Sequence, residues 1–201
     1  MYSAATAHVV SSFYRLPLKP GIGEAAVIPP VLREEVRARQ PQDLGHVLAY
    51  QGYETFPGFV TMLRGMERRV VAYGLGPARR EGNCEFRDRT ADGFLSDLAA
   101  CSYVVCGGGH TLISEALFLG KPVLSFPIAW AYEQHLNARY LAKLGYGMMA
   151  APWQAGPRLV AAFERRLDEY HQNLAAGIFD GNDQLQRLVG RFLERGALQA
   201  N

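Results

Sequence analysis

Residues 106–122, CGGGHTLISEALFLGKP, end an apolar strand with three glycines, set His110 and Thr111 next, and open a nearly apolar helix that keeps one carboxylate, Glu115. Glycine admits positive φ and lets backbone approach a ligand closely. The first N–H groups of the helix opening near Thr111 have no partner inside the helix and carry partial positive charge, so a phosphate fits there. Helical side chains lean toward the N-terminus, which aims Glu115 at the glycine loop. A carboxylate so placed accepts two hydrogen bonds from vicinal ribose hydroxyls, as in dinucleotide folds. Phosphate and ribose together make a nucleotide. The competing reading is packing: glycines closing a tight strand end, and Glu115 balancing the helix dipole from an early turn. Taken one residue at a time, both readings stand.

A second stretch, FPIAWAYEQHLNARYLAKLGYG (126–147), crowds Glu133, Gln134 and Asn137 at the start of a helix whose Leu136, Tyr140, Leu141 and Leu144 form the expected buried stripe. An acid beside an amide suits a polyhydroxylated group. Equally, Glu133 favours a helix N-terminus and Asn137 can bond nearby backbone, the preferred reading for Asn137; for Gln134 both readings stay open.

Spacing removes several chemistries. Leu112 stands where the third glycine of G-x-G-x-x-G belongs, and Pro122 replaces the Ser or Thr that would hold magnesium in a Walker loop. The five histidines, His8, His46, His110, His135 and His171, lack metal-ligand spacing, and no G-x-S-x-G elbow occurs.

These residues need a frame, and the chain supplies one. Strands are expected near 46–51, 69–74, 84–87, 103–106 and 122–126, with helices near 55–66, 92–101, 111–119 and 133–144 between them. Such alternation marks an α/β fold, a doubly wound, Rossmann-like parallel sheet. In that architecture ligands bind beyond the carboxyl ends of strands, where the glycine loop lies. Residues 1–44 read differently, as a strand followed by a double-proline linker, the remnant of a missing N-terminal domain; residues 45–201 form the binding domain. Leu159, Val160, Phe163, Leu167 and Tyr170 make one helical stripe and Leu185, Leu188, Val189 and Phe192 another, both expected to cover one side of the sheet.

The 201 residues are 49% apolar and 20% charged with a formal net charge of +2, enough for one core and an appendage. Signs alternate in LREEVRAR and FERRLDEY, which are solvated helix faces and not a nucleic-acid footprint. Cys84, Cys101 and Cys106 form no C-x-x-C pair and read as small buried hydrophobes of a reducing compartment. With no apolar run of spanning length and no signal-peptide pattern, the expected location is cytoplasmic.

The combination of GGGHTLISEALFLGKPVLSFPIAWAYEQHLNARYLAKLGYG, with its glycine pair before a helix, Glu in that helix, G-K-P turn and E-Q-x-x-N-A, resembles the C-terminal, donor-binding half of GT-B glycosyltransferases. The resemblance is particularly to family 28, which includes the peptidoglycan enzyme that adds N-acetylglucosamine to lipid I. It runs from about residue 46 to 195 and is strongest over 104–147.

The resemblance implies that Gly107, Gly108, Gly109, His110 and Thr111 lie at the donor diphosphate, that Glu115 holds the ribose, and that Glu133 and Gln134 hold sugar hydroxyls. Gly52, within YQGYE, would pass near the diphosphate, and backbone of RTADGF, ending at Phe94, would sit near a uracil base. Plant and animal relatives carry a phosphate-binding histidine where Gly107 stands, a departure that leaves open whether His110 takes over the role. The donor is expected to be a UDP-sugar, such as UDP-GlcNAc, transferred with inversion and without a metal or other cofactor, consistent with the absence of D-x-D. The general base is expected in an acceptor-binding N-terminal domain or partner subunit, so the chain alone transfers little or nothing. Peripheral contact with the inner face of the membrane and no nucleic-acid partner complete the expectation. A UDP-sugar epimerase of the same fold and a non-catalytic nucleotide-sugar-binding module are the alternatives.

Overall fold

The computed structural model describes residues 5, 7–15, 17–18, 24–52, 56–88, 90–196 and 198. In chain order the elements are β1 (Ala7–Ser11), β2 (Glu24–Ile28), α1 (Glu34–Arg37), β3 (Val47–Tyr50), α2 (Gly58–Arg64), β4 (Val70–Tyr73), β5 (Arg79–Glu81), β6 (Cys84–Arg87) and α3 (Ala91–Ala100). They continue with β7 (Tyr103–Cys106), α4 (His110–Phe118), β8 (Val123–Ser125), α5 (Tyr132–Lys143), β9 (Gly147–Met149), α6 (Pro157–Glu164), α7 (Leu167–Ala175) and α8 (Asn182–Arg195). Two compact units result: Glu34–Gly177, and Met1–Arg33 with Ile178–Asn201.

The larger unit carries a seven-stranded sheet in the order β5-β6-β4-β3-β7-β8-β9. Every pairing is parallel except that of β5 with β6. Runs such as VVAY and YVVC are buried throughout, as expected of strands covered on both faces. From β3 the chain first builds outward through β4 and β6, then returns to lay β7, β8 and β9 on the other side. The direction reverses between β3 and β7, and in an open α/β sheet that reversal leaves a crevice beyond the strand ends.

The α/β expectation holds, and each expected strand and helix of 46–144 has its counterpart. Two edge strands were not expected. Arg79-Arg80-Glu81 is wholly charged, a composition that protects a sheet edge but carries no apolar alternation. Gly147-Met148-Met149 begins with a residue whose added Cβ would lie 2.0 Å from the Val123 carbonyl oxygen, so glycine is required where β9 meets β8. On α5 the buried residues are Asn137, Ala138 and Leu141, whereas Leu144 of the expected stripe is exposed.

The expected division at residue 44 is not where the compact units part. The stretch before β3 is bound to the larger unit by Gln42 N–H to Ala99 O (2.8 Å), Leu44 N–H to Ala100 O (2.9 Å) and the Lys121 ammonium on Gln42 O. The first C-terminal stripe does pack on the sheet core, as two helices, α6 and α7. The second does not: Leu185, Leu188 and Phe192 of α8 pack with Ile28, Ala7 and Ala26 in the smaller unit, and Val189 is exposed. There β1 and β2 pair in parallel, and Asn182 both accepts from Leu32 N–H and donates to Leu32 O, each at 2.8 Å. The segment read as a linker is therefore partly strand. Among the described residues, no helix is long and apolar enough to cross a membrane.

Candidate functional site

Register places Tyr50 of β3, Cys106 of β7 and Ser125 of β8 side by side at the carboxyl ends of their strands. Beyond them, at the reversal point, lies a cavity of about 170 Å³. Tyr50, Gln51 and Gly52 form the wall after β3, and Cys106, Gly107 and Gly109 the wall after β7. Leu112 from α4, Ile128 from the loop after β8, and Gln134 from α5 complete it.

The glycine loop is held from three sides. Ser125 Oγ donates to Gly107 O at 2.9 Å, Gly108 N–H donates to Gln134 Oε1 at 3.1 Å, and Asn137 Nδ2 donates to Gly108 O at 2.9 Å. Gln134 Oε1 accepts a second bond, from Ile128 N–H at 3.1 Å. The three glycines differ sharply in what they tolerate. A Cβ on Gly108 would stand 2.3 Å from the Gln134 carbonyl oxygen, whereas one on Gly109 would meet nothing within 4 Å. None of the three has positive φ, so that one of the two uses expected of glycine does not apply in this loop. Gly108 is required because the backbone of α5 presses on it; Gly109 borders open cavity.

Gly109, at φ −65° and ψ 128°, caps α4, and its carbonyl accepts the helix's opening bond from Ile113 N–H at 3.2 Å. The N–H groups of the first turn thus face the same end of the sheet as the cavity, with partial positive charge. Thr111 is exposed there. His110 lies half-buried with its Nδ1 at 3.4 Å from Ser114 Oγ. Burial holds its imidazole below the ordinary proton affinity, against the opposing pull of the Glu133 carboxylate. Glu133 itself is exposed on the first turn of α5.

Of the expected site residues, the cavity brings together Gly52, Gly107, Gly109 and Gln134. Gly108 lies behind the lining, and Glu115 is 3% exposed within α4, four residues beyond Thr111 and so on its face of the helix. Phe94 stands behind the lining: its N–H donates to Thr90 O at 3.0 Å as the first bond of α3. Its ring supports the cavity wall, edge-on to Tyr50 at 5.6 Å and to Tyr73 at 5.1 Å. Tyr53 and Glu54 of YQGYE, and Arg89 of RTADGF, lie outside the described residues.

Sequence reasoning passed over Ser125, Leu112 and Ile128. A serine at the end of an apolar strand beside a glycine loop is a legible signal, because a buried hydroxyl needs a partner; nothing distinguishes Leu112 or Ile128 from core residues. Cys106 reaches the cavity, yet burial pushes its thiol up to about 12, and Cys101 likewise. Burial also raises Cys84. Since the thiolate is the nucleophile, iodoacetamide at pH 8 should label none of the three buried cysteines in the native protein and all three after unfolding in guanidinium, read by intact mass.

Comparison with known proteins follows the same lines. The model of a family described as glycosyl transferase family 1 matches residues 1–168. An uncharacterized glycosyltransferase of Methanopyrus kandleri is 35% identical over 81 residues, covering 40% of this chain and 24% of that protein. The spinosyn forosaminyltransferase SpnP superposes with a TM-score of 0.61 at 17% identity, over 90% of this chain and 54% of its own. The calicheamicin glycosyltransferase CalG4 gives 0.60 at 22% identity, over 85% and 47%. These neighbours share the GT-B fold. The chain spans 24% and 21% of the first two curated relatives it matches, and about half of these solved structures. Family 28 is not what the matching model describes.

Proposed function

The chain belongs to glycosyl transferase family 1, and from that premise we propose that its larger unit binds the nucleoside diphosphate sugar from which a hexosyl group is transferred to an acceptor. The observation that carries this is the coincidence of three features at one strand reversal: a rigidly held glycine loop, the N-terminus of α4, and an open cavity above Gly109. Backbone N–H groups of the first turn of α4 meet the diphosphate, with His110 and Thr111 beside it. Glu115 accepts from the ribose hydroxyls, and Glu133 with the amide of Gln134 meets the sugar. Uracil is the preferred base, and UDP-GlcNAc the first donor to test.

In the reaction an acceptor hydroxyl attacks the anomeric carbon in line with the departing diphosphate. The new glycosidic bond forms as the bond to the diphosphate oxygen breaks, and the configuration inverts. Charge grows on that leaving oxygen, where the helix dipole and its N–H groups stabilise it without rearrangement. The acceptor's proton passes to a base outside this chain, in an N-terminal domain or a partner subunit, and no metal takes part. Membership of a transferase family favours this reading over epimerisation.

A thermal-shift panel of UDP, TDP, GDP, ADP and their sugars tests the proposal. A ligand at one hundred times its dissociation constant stabilises by about 2.7 kcal/mol. One nucleotide series should raise the melting temperature; no response to any would remove the donor role.

His110 adds a pH signature. Its depressed proton affinity means that its contribution to stability is complete above the ordinary value of 6.5 and is lost as pH falls through the folded value. A diphosphate beside the ring raises that affinity, so binding takes up a proton. Affinity for UDP-GlcNAc, which has no phosphate ionisation near neutrality, should therefore increase from pH 8 to pH 6, by at most about tenfold per unit. The His110→Gln profile should be flat.

A further inference from the structure

Three side chains at the loop make bonds that donor recognition alone does not require. Ser125 and Asn137, 0% and 1% exposed, are too deeply placed to touch solvent, and each donates to a glycine carbonyl of the loop: Gly107 O and Gly108 O. Gln134 Oε1 accepts from two backbone N–H groups, Gly108 and Ile128, which belong to the loops after β7 and β8. A carbonyl oxygen with two lone pairs is thereby filled, and what Gln134 can still offer the cavity it lines is its amide N–H₂.

We propose that Ser125, Gln134 and Asn137 are positioning residues that hold Gly107 and Gly108 in one shape before any ligand arrives, and that Gln134 joins this loop to sugar recognition by using its two amide ends for different tasks. The inference rests on the donor-site reading for its functional consequence, but the loop shape itself is independent of ligand. A glycine run without such bonds would sample many conformers and lose them on binding, at a cost in affinity. Bonding both main-chain polar groups of Gly108 and the Gly107 carbonyl removes that loss in advance. Gln134 and Asn137 stand three apart on α5, on one helix face, which is why E-Q-x-x-N spacing can serve both sides of a single glycine.

Amide hydrogen exchange on the ligand-free protein, followed by NMR, tests the proposal, with UDP as the binding probe. Gly108 and Ile128 N–H should exchange slowly. Gln134→Glu retains an acceptor oxygen and should keep both protected; Gln134→Met removes it and should speed both by at least tenfold. Ser125→Ala and Asn137→Ala should each weaken UDP binding about tenfold at temperatures well below their melting points, and Ser125→Thr, which keeps the hydroxyl, should restore it. Should Asn137→Ala fail to fold, the Ser125 pair and the Gln134 pair carry the test. Unprotected Gly108 in the wild type, or variants that melt earlier yet bind UDP unchanged, would overturn the proposal and leave these residues as ordinary packing. Protected Gly108 that responds to the Gln134 pair, in a protein that ignores UDP, would support the loop shape and defeat the donor reading instead.

Discussion

Gly108→Ala should lose nucleotide binding and thermal stability together, whereas its neighbour Gly109→Ala should lose binding alone. The contrast follows from what surrounds each Cα. At position 108 the new methyl carbon would fall 2.3 Å from the Gln134 carbonyl oxygen and 2.7 Å from its carbonyl carbon. Those are backbone atoms of α5 and cannot rotate away. Either α5 shifts from α4 or the loop moves, and in both cases the bonds to Gln134 and Asn137 are broken. Overpacking of this kind costs about 3 kcal/mol, or roughly 10 °C in melting temperature for a domain of this size. Position 109 has φ and ψ that any residue adopts and no atom within 4 Å of the new methyl. Its melting temperature should stay within about 2 °C of wild type, since an exposed change of this kind is worth no more than about 0.5 kcal/mol. The methyl would occupy the space above the first turn of α4, and UDP affinity should fall at least tenfold. Calorimetry and titration of the two variants side by side check both halves.

Glu115→Ala should abolish the stabilisation by the preferred nucleotide and leave the fold intact. Two hydrogen bonds from hydroxyls to one carboxylate, each worth about 1.5 kcal/mol, amount to roughly a hundredfold in affinity. The discriminating control is the 2′-deoxy nucleotide. It should bind wild type more weakly than the ribonucleotide does, and Glu115→Ala should bind both alike. If the variant kept its full preference for ribose, Glu115 would be a buried acid of α4 with no part in recognition.

How much of this was legible in the chain varies by element, for physical reasons. The central strands announce themselves because a strand covered on both faces must be continuously apolar, as VVAY and YVVC are. The glycine loop's place beside a cavity was legible because it follows such a strand and precedes a helix. Positive φ and close approach to a ligand were the expected uses of its glycines, with tight packing as the competing reading, and packing is what Gly108 shows; its partner, α5, lies 26 residues on, where local pattern cannot reveal it. Asn137 was read as bonding backbone close to it in the chain; it does bond backbone, but that of Gly108, 29 residues earlier. Gln134 was left open between structure and ligand, and the two ends of its amide allow both. The stripe from Leu159 to Tyr170 keeps helical period across Arg165 and Arg166, where the structure ends α6 and begins α7; no glycine or proline marks that break. The partnership of α8 with β1 and β2 rests on contacts between the two ends of the chain and escapes any local reading.

The central claim is that the first turn of α4 grips a diphosphate while Glu115 grips the adjoining ribose. A crystal of this chain soaked with UDP measures it directly. The account predicts phosphate oxygens within hydrogen-bond distance of the backbone N–H groups of residues 109–111 and both ribose hydroxyls on the Glu115 carboxylate. Nucleotide bound at any other place, with the space above Gly109 empty, would contradict it.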